Sequence, residues 1–138
     1  MTDGVPDPHG PAVAAAEDLY RGILFTDQWV PNKNRPSSAA FDREIFSVDV
    51  VSLTGSPQET LGRFKPGTGL VKFNCGVARS LDFHTHLEPD ELFPDNRAHA
   101  HVYHFAVPSA RKRLARALAK QHCETIQIPD LDVLRGYF

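Results

Sequence analysis

Residues 98–107 read AHAHVYHFAV, a run of small, β-branched and aromatic side chains interrupted by His99, His101 and His104. A second pair, His84 and His86, lies just upstream in DFHTHL, so five of the seven histidines fall between positions 84 and 104. Alternate side chains of a strand point to opposite faces. Ala98, Ala100, Val102, His104 and Ala106 therefore share one face, small and apolar as expected under a helix. His99, His101, Tyr103, Phe105 and Val107 share the other, which is the face free to line a cleft. His84 and His86 share a face of their own run.

Two chemistries suit such a set. If the two runs pair antiparallel with His86 opposite His99, then His84 falls opposite His101 and four imidazoles gather on one face. Opposed Cβ atoms lie about 4.5–5.5 Å apart, so His84, His86, His99 and His101 are candidate ligands of a divalent metal, the one cofactor the pattern suggests. Glu88, Asp90, Glu91 or Asp95 in the connecting loop would add a carboxylate. Without metal, an imidazole with an ordinary pKa of about 6.5 suits general acid–base work. His99 and His101, with Tyr103 on the same face, are then the candidate catalytic residues around a phosphodiester or glycosidic bond. The string HTHLEPDE also fits the first metal motif of the cupins, but only two residues separate Glu91 from Pro94, where a cupin needs strands.

A third group is basic and hydroxylic: Arg21 in LYRGI, then Arg35, Ser37 and Ser38 in RPSSAAF. A guanidinium binds phosphate bidentately, and hydroxyls donate to the same oxygens. These four are the candidate ligand-binding residues. Over roughly residues 19–64 the order of Arg21, serines, strand and helix resembles the ADP-ribosyltransferase-like group, including small NAD-degrading toxins. That resemblance implies an anchoring role for Arg21 on the phosphates of NAD. The chain from about 19 to 107 also resembles small bacterial proteins that share an RPSSAAF…FSVD…AHAxV pattern. This second resemblance implies that Arg35, Ser37, Ser38, Phe41, Ser47, Asp49 and His99 belong together, and it carries no activity with it. The expected site therefore joins His99 to Arg35 and the serines.

The elements that must position these residues follow from periodicity. AVAAAEDLY (12–20) has helical propensity. LYRGILF (19–25) reads as a strand, with Arg21 and Ile23 on one face and Tyr20, Gly22 and Leu24 on the other. The stretch 26–44, with prolines at 31 and 36, exceeds an ordinary connection of about 4–6 residues and is expected to serve function. IFSVDVVSL (45–53) alternates as a strand. Ser56, Pro57 and Glu59 form the start signal of a short helix. LVKFNCGVARSL (70–81) reads as a strand with an irregularity at Gly76, and 82–88 as a short strand before the histidine run. PSARKRLARALAKQH (108–122) is a helix capped by Ser109, and ETIQIP (124–129) a last strand. Residues 1–11, with three prolines and little to bury, are expected to form a disordered tail. The order predicts a single α+β domain over 12–138, mainly an antiparallel sheet with two helices.

Composition narrows the function. The 138 residues carry 41% hydrophobic and 23% charged side chains, a globular balance, with net charge −2. That charge gives no global reason to bind nucleic acid or membrane, and the basic residues of 108–122 read as a solvated helix face. Two isolated cysteines and an N-terminus without a basic start make the cytoplasm the expected compartment. The expected activity is that of a small bacterial enzyme acting on a phosphate-bearing substrate such as a nucleotide, NAD or RNA. The alternatives are a non-catalytic accessory or immunity module that binds a protein partner, and a histidine-cluster metalloprotein.

Overall fold

The computed structural model describes residues 8–136. Six strands form one antiparallel sheet in the order β6-β7-β4-β1-β5-β8, and β2 and β3 form a separate two-stranded hairpin. In chain order the elements are β1 (Asp18–Ile23), β2 (Trp29–Val30), β3 (Arg35–Pro36), β4 (Ile45–Val50), α1 (Pro57–Leu61), β5 (Gly69–Asn74), α2 (Cys75–Ser80), β6 (Phe83–Leu87), β7 (His99–His104), α3 (Pro108–Gln121), β8 (Glu124–Gln127) and α4 (Leu131–Arg135). The expected α+β class and antiparallel sheet are present, with two short helices, α2 and α4, beyond the two expected. No helix among the described residues is long and apolar enough to cross a membrane.

The sheet has a packing face and an open face. Leu19 and Ile23 of β1, Phe46, Val48 and Val50 of β4, Val71 and Phe73 of β5, and Ala100 and Val102 of β7 build the core. Ala115, Leu118 and Ala119 of α3 and Cys75 and Ala78 of α2 close it from above. Phe41, from a 3-10 turn in the 26–44 segment, inserts edge-on between Phe46 and Phe73 at centroid distances of 5.7 and 5.4 Å. The aromatic residues of that long segment are thus spent on packing. On the open face, α1 and the loop that joins β6 to β7 lie over the sheet. Gly22 permits this cover, because a Cβ there would lie 2.9 Å from the Phe64 ring that follows α1.

Local signals decide the helix starts. Ser56 accepts the Glu59 amide, and the Glu59 carboxylate takes the Gly55 amide, so α1 begins as the capping residues predict. The strand expected over 70–81 instead ends at Asn74, whose side chain accepts the Val77 amide at 3.0 Å and starts α2. An Asn at an N-cap outweighed the β propensity of the run. Helix α3 is not capped by Ser109; its N-cap is Val107 with Pro108 at N1, and no side chain caps it. Asp130 caps α4 in the same manner as Asn74 caps α2.

The short turn expected within 12–20 is present as a single turn, the Glu17 amide donating to the Ala14 carbonyl at 3.1 Å, and no helix forms there. The Val13 amide donates to the Thr85 carbonyl and Ala12 bridges His86 at the outer edge of β6, after which the Ala15 and Glu17 carbonyls accept the Gly76 and Cys75 amides at the start of α2 before β1 begins at Asp18. A free sheet edge offers more hydrogen bonds than alanine propensity can match. Of the expected disordered tail, residues 1–7 lie outside the described residues. Residues 8–11 instead contribute the His9 amide and the Gly10 and Pro11 carbonyls to the same edge.

Arg21 sits among the core side chains, at 6% exposure. Its Nε donates to the Ala40 carbonyl at 3.0 Å and its Nη1 to the Ser47 carbonyl at 3.3 Å, and the guanidinium lies over the Phe46 ring at 4.8 Å. Burial, with a smaller contribution from Arg43, pushes its pKa down to about 9. Arg21→Ala should therefore act on stability: it removes a stacked side chain and leaves two buried carbonyls unmatched, a loss of about 2–4 kcal/mol. Urea unfolding measures it. A ligand-anchoring role alone would leave the unfolding midpoint in place.

Candidate functional site

Strand register assembles the open face. Tyr20 pairs with both Asp49 and Lys72, and Asp49 pairs with His99. The Glu88 amide donates to the His99 carbonyl, extending the β6–β7 ladder by one residue. Glu88, His99, Asp49, Tyr20 and Lys72 therefore form one row across five adjacent chain segments. His86, His101 and Ser47 form the next row. His84, Tyr103 and Ile45 form a third. The alternation read from 98–107 placed His99, His101 and Tyr103 on one face of β7, where these rows have them.

Glu88 is the centre of the arrangement. Its side chain is 5% exposed, and Oε1 accepts both the Tyr103 hydroxyl and Nδ1–H of His101, the latter at 2.8 Å. Oε2 accepts the His9 amide at 2.7 Å. The backbone carbonyl of the same residue accepts Nδ1–H of His99, also at 2.7 Å. Burial alone would raise the Glu88 pKa. The hydrogen bonds from Tyr103, the His9 amide and His101 outweigh it and hold the carboxyl at about 2. Tyr103 moves the other way, its pKa raised by burial and by donation to the Glu88 carboxylate.

These bonds set the ring tautomers and aims. His99 and His101 stand with centroids 4.7 Å apart and planes nearly perpendicular, each engaged through Nδ1, so Nε2 is what each ring offers to a ligand. His99 is buried at the end of a cleft of about 400 Å³ that α1 and the 89–97 loop bound. A cleft of this size is in the range of small-ligand sites. Tyr20, Phe64 and Phe93 supply its aromatic walls, and Arg63 and Lys65 its cations, with the buried Arg21 also reaching its lining.

A second buried carboxylate fixes one of those cations. Asp49 Oδ2 accepts the Thr60 hydroxyl at 2.7 Å and Arg63 Nη1 at 2.8 Å, while Oδ1 accepts the Asn96 amide at 2.9 Å. Asn96 in turn accepts the Ala98 amide, which ties the 89–97 loop to the start of β7. Arg63 remains 23% exposed beyond this anchor, on the cleft wall. Asp90 also borders the cleft, with Oδ1 turned onto the Leu92 amide of its own loop.

The candidate residues separate into those the structure gathers and those it does not. His99, His101 and Tyr103 converge on Glu88. The observed register puts His86 opposite His101 and His84 opposite Tyr103, two residues from the register expected, because the ladder runs on to Glu88. His84 Nε2 is held by Asp82 and His86 Nδ1 by the Gly10 carbonyl. No group of three His, Cys, Asp or Glu among the described residues is placed to hold a metal ion. His104 lies on the packing face as expected, its Nε2 donating to Leu81 and its Nδ1 accepting from Ala106, with a pKa lowered by burial. Arg35, Ser37 and Ser38 are not brought to His99. Arg35 donates to the Pro36 carbonyl and Ser37 to the Asp27 carbonyl, within the segment that packs beneath α3. Arg63 was missed; its only sequence signal is its place one turn beyond a helix that starts after the Asp49 strand.

Comparison with family models, curated proteins and solved structures finds no match for the chain, so the roles above rest on geometry that two experiments probe. The Glu88 carboxyl titrates below its ordinary 4.5 in the folded protein, so its stabilising contribution is full above about pH 4.5 and is lost as pH falls toward about 2. Glu88→Gln should lower the thermal midpoint at neutral pH and flatten the acid limb over that window. An acid limb identical to wild type overturns the assignment. Deleting residues 1–10 removes the His9 donor and the Gly10 acceptor, each worth about 1 kcal/mol. The midpoint should then fall by about 5 °C or more, with the acid limb beginning at higher pH; differential scanning calorimetry across pH reads both.

Proposed function

We propose that the protein is a small enzyme acting on a phosphate-bearing substrate, with His99 and His101 as the acid–base pair and Arg63 as the anion clamp. The observation that carries this reading is the double use of Glu88, whose carbonyl and carboxylate each hold one Nδ1–H. Both imidazoles are thereby fixed in orientation at adjoining positions on an open sheet face. His99 is held by a neutral carbonyl and suits the base that takes a proton from an attacking hydroxyl. His101 is held by a carboxylate that balances an imidazolium, as the acidic member of a catalytic triad does, and suits the acid that protonates a leaving oxygen.

The cleft supports a substrate with a flat ring and an anionic group. Tyr20, Phe64 and Phe93 line it with aromatic rings, and Arg63, held through Nη1 by Asp49, lines it with a side chain that is 23% exposed. Arginine fixed along one edge retains directional donors on the other, a good match for phosphate oxygens.

Turnover of nucleoside 2′,3′-cyclic phosphates, NAD and a short RNA, followed by phosphorus NMR, tests the reading. His99→Ala and His101→Ala should each reduce kcat by about 10²–10⁴-fold with little change in KM. Arg63→Ala should raise KM by about 10-fold, the loss of one charge-assisted contact. Absence of both turnover and ligand-induced shifts across the panel would sink the proposal.

A further inference from the structure

Helix α3 has a charge distribution that opposes its own stability. Its fourteen residues include Arg111, Lys112, Arg113, Arg116 and Lys120 and no carboxylate. The cations begin in the first turn, where the helix dipole favours acids, and no side chain caps that end. Lys112, Arg116 and Lys120 follow one another at i,i+4 spacing, where like charges repel. At about 100° per residue, these three and Arg113 fall in one arc about 100° wide. The mean direction of Ala115, Leu118 and Ala119, which are buried in the core, lies about 120° from the centre of that arc, with Ala119 adjoining its Lys112 edge.

Arg111 is paired with Asp42, but none of the other four has an ion-pair partner among the described residues, and all four are exposed. The β2–β3 hairpin packs against α3 and adds Lys33, exposed, and Arg35, half-buried. No acid lies between Trp29 and Ala40. The whole chain has 17 acidic and 15 basic residues, so this clustering does not follow from composition. A surface that accepts repulsion at each of these levels is selected for something other than folding.

We propose that the exposed face of α3, extended by Lys33 and Arg35, docks the phosphate backbone of a nucleic-acid duplex. Successive cations along the helix rise about 6 Å per step, which lets one strand of phosphates be followed along its length. The arc holds no aromatic side chain, and Trp29 nearby is buried, so the stacking platform that single strands need is missing. It also holds no aliphatic anchor of the kind that a protein interface or a membrane-surface helix uses. The face lies across the sheet from Glu88, and the inference is independent of the activity proposed above.

Fluorescence anisotropy with a labelled 20-base-pair duplex of arbitrary sequence, as DNA and as RNA, tests it on the full-length protein. Binding should weaken linearly in log–log salt dependence with a slope between about −3.6, for the four α3 cations, and about −5.4, with Lys33 and Arg35 added, from about −0.9 per phosphate neutralised on DNA. Contacts confined to the backbone should hold both duplexes within about threefold of each other. The triple variant Lys112→Gln, Arg116→Gln, Lys120→Gln should lose at least about tenfold in affinity at low salt and flatten the slope by about 2.7. Its thermal midpoint should stay level or rise, since repulsion is relieved; a fall in midpoint is countered by testing Lys112→Gln alone, which should still cut the slope by about 0.9. Undetectable duplex binding at low salt overturns the proposal. So does a triple variant that binds like wild type, a single strand that binds more tightly than the duplex, or polyglutamate that displaces the duplex at equal charge.

Discussion

A carboxylate taken out of water must be met by donors, or it protonates or unfolds its surroundings. Glu88 meets this constraint at the junction of β6 and a loop, and the rest of the open face is arranged around the solution. Its donors come from three separated parts of the chain: the His9 amide, His101 and Tyr103. Each has to arrive in register for the charge to be tolerated. The N-terminal segment is held to the edge of β6, β7 is held in a register that presents His101 and Tyr103, and His99 is held by the Glu88 carbonyl. A single buried charge therefore couples the ends of the domain to the orientation of two imidazoles.

Asp49 repeats the solution one strand away. It too is buried, and it too is matched by groups distant in sequence: Thr60 and Arg63 beyond α1, and Asn96 in the β6–β7 loop. The two carboxylates stand on either side of His99 in one row of the sheet. The cover of the open face is thus tied to the sheet by polar matching at Asp49 as well as by the packing of Phe64 on Gly22. Such networks are costly when half satisfied and specific when complete. The arrangement explains why a short helix and an irregular loop can bound a cleft of defined shape.

How far the chain disclosed this in advance depends on the range of the signal. Period-two alternation in AHAHVYHFAV was enough to separate His104 from His99, His101 and Tyr103, because faces follow from local geometry alone. Register was not, since sliding the pairing by two residues preserves every face and changes every neighbour. His86 and His101 therefore meet where His86 and His99 were expected. Asn74 and Ala12–Val13 show the other failure: a cap and an open sheet edge, one a single side chain and one a tertiary event, each overrode propensity. The joining of Arg35 to His99 failed because a shared pattern along a chain does not state which face of a sheet each member occupies. Arg63 was hidden for the same reason, its partner lying fourteen residues away on a strand.

The two sides of the sheet also divide the charge. On the open side, acids are buried and matched, and the cations that match them are held in place. On the packing side, Lys112, Arg113, Arg116 and Lys120 of α3 have no ion-pair partner among the described residues, Arg111 alone being paired, with Asp42, while the chain as a whole has net charge −2. A net charge near zero thus conceals a local excess of exposed cations on α3, and electrostatic steering responds to the local field within about a Debye length, not to the sum. The sheet is the insulator between the two. Its core of Phe41, Phe46, Phe73 and the small residues of β7 keeps the basic face and the histidine face apart, so changes on one can be made without disturbing the other. Arg21 carries a charge inside that layer, and it is tolerated because two carbonyls and a ring face take the place of water.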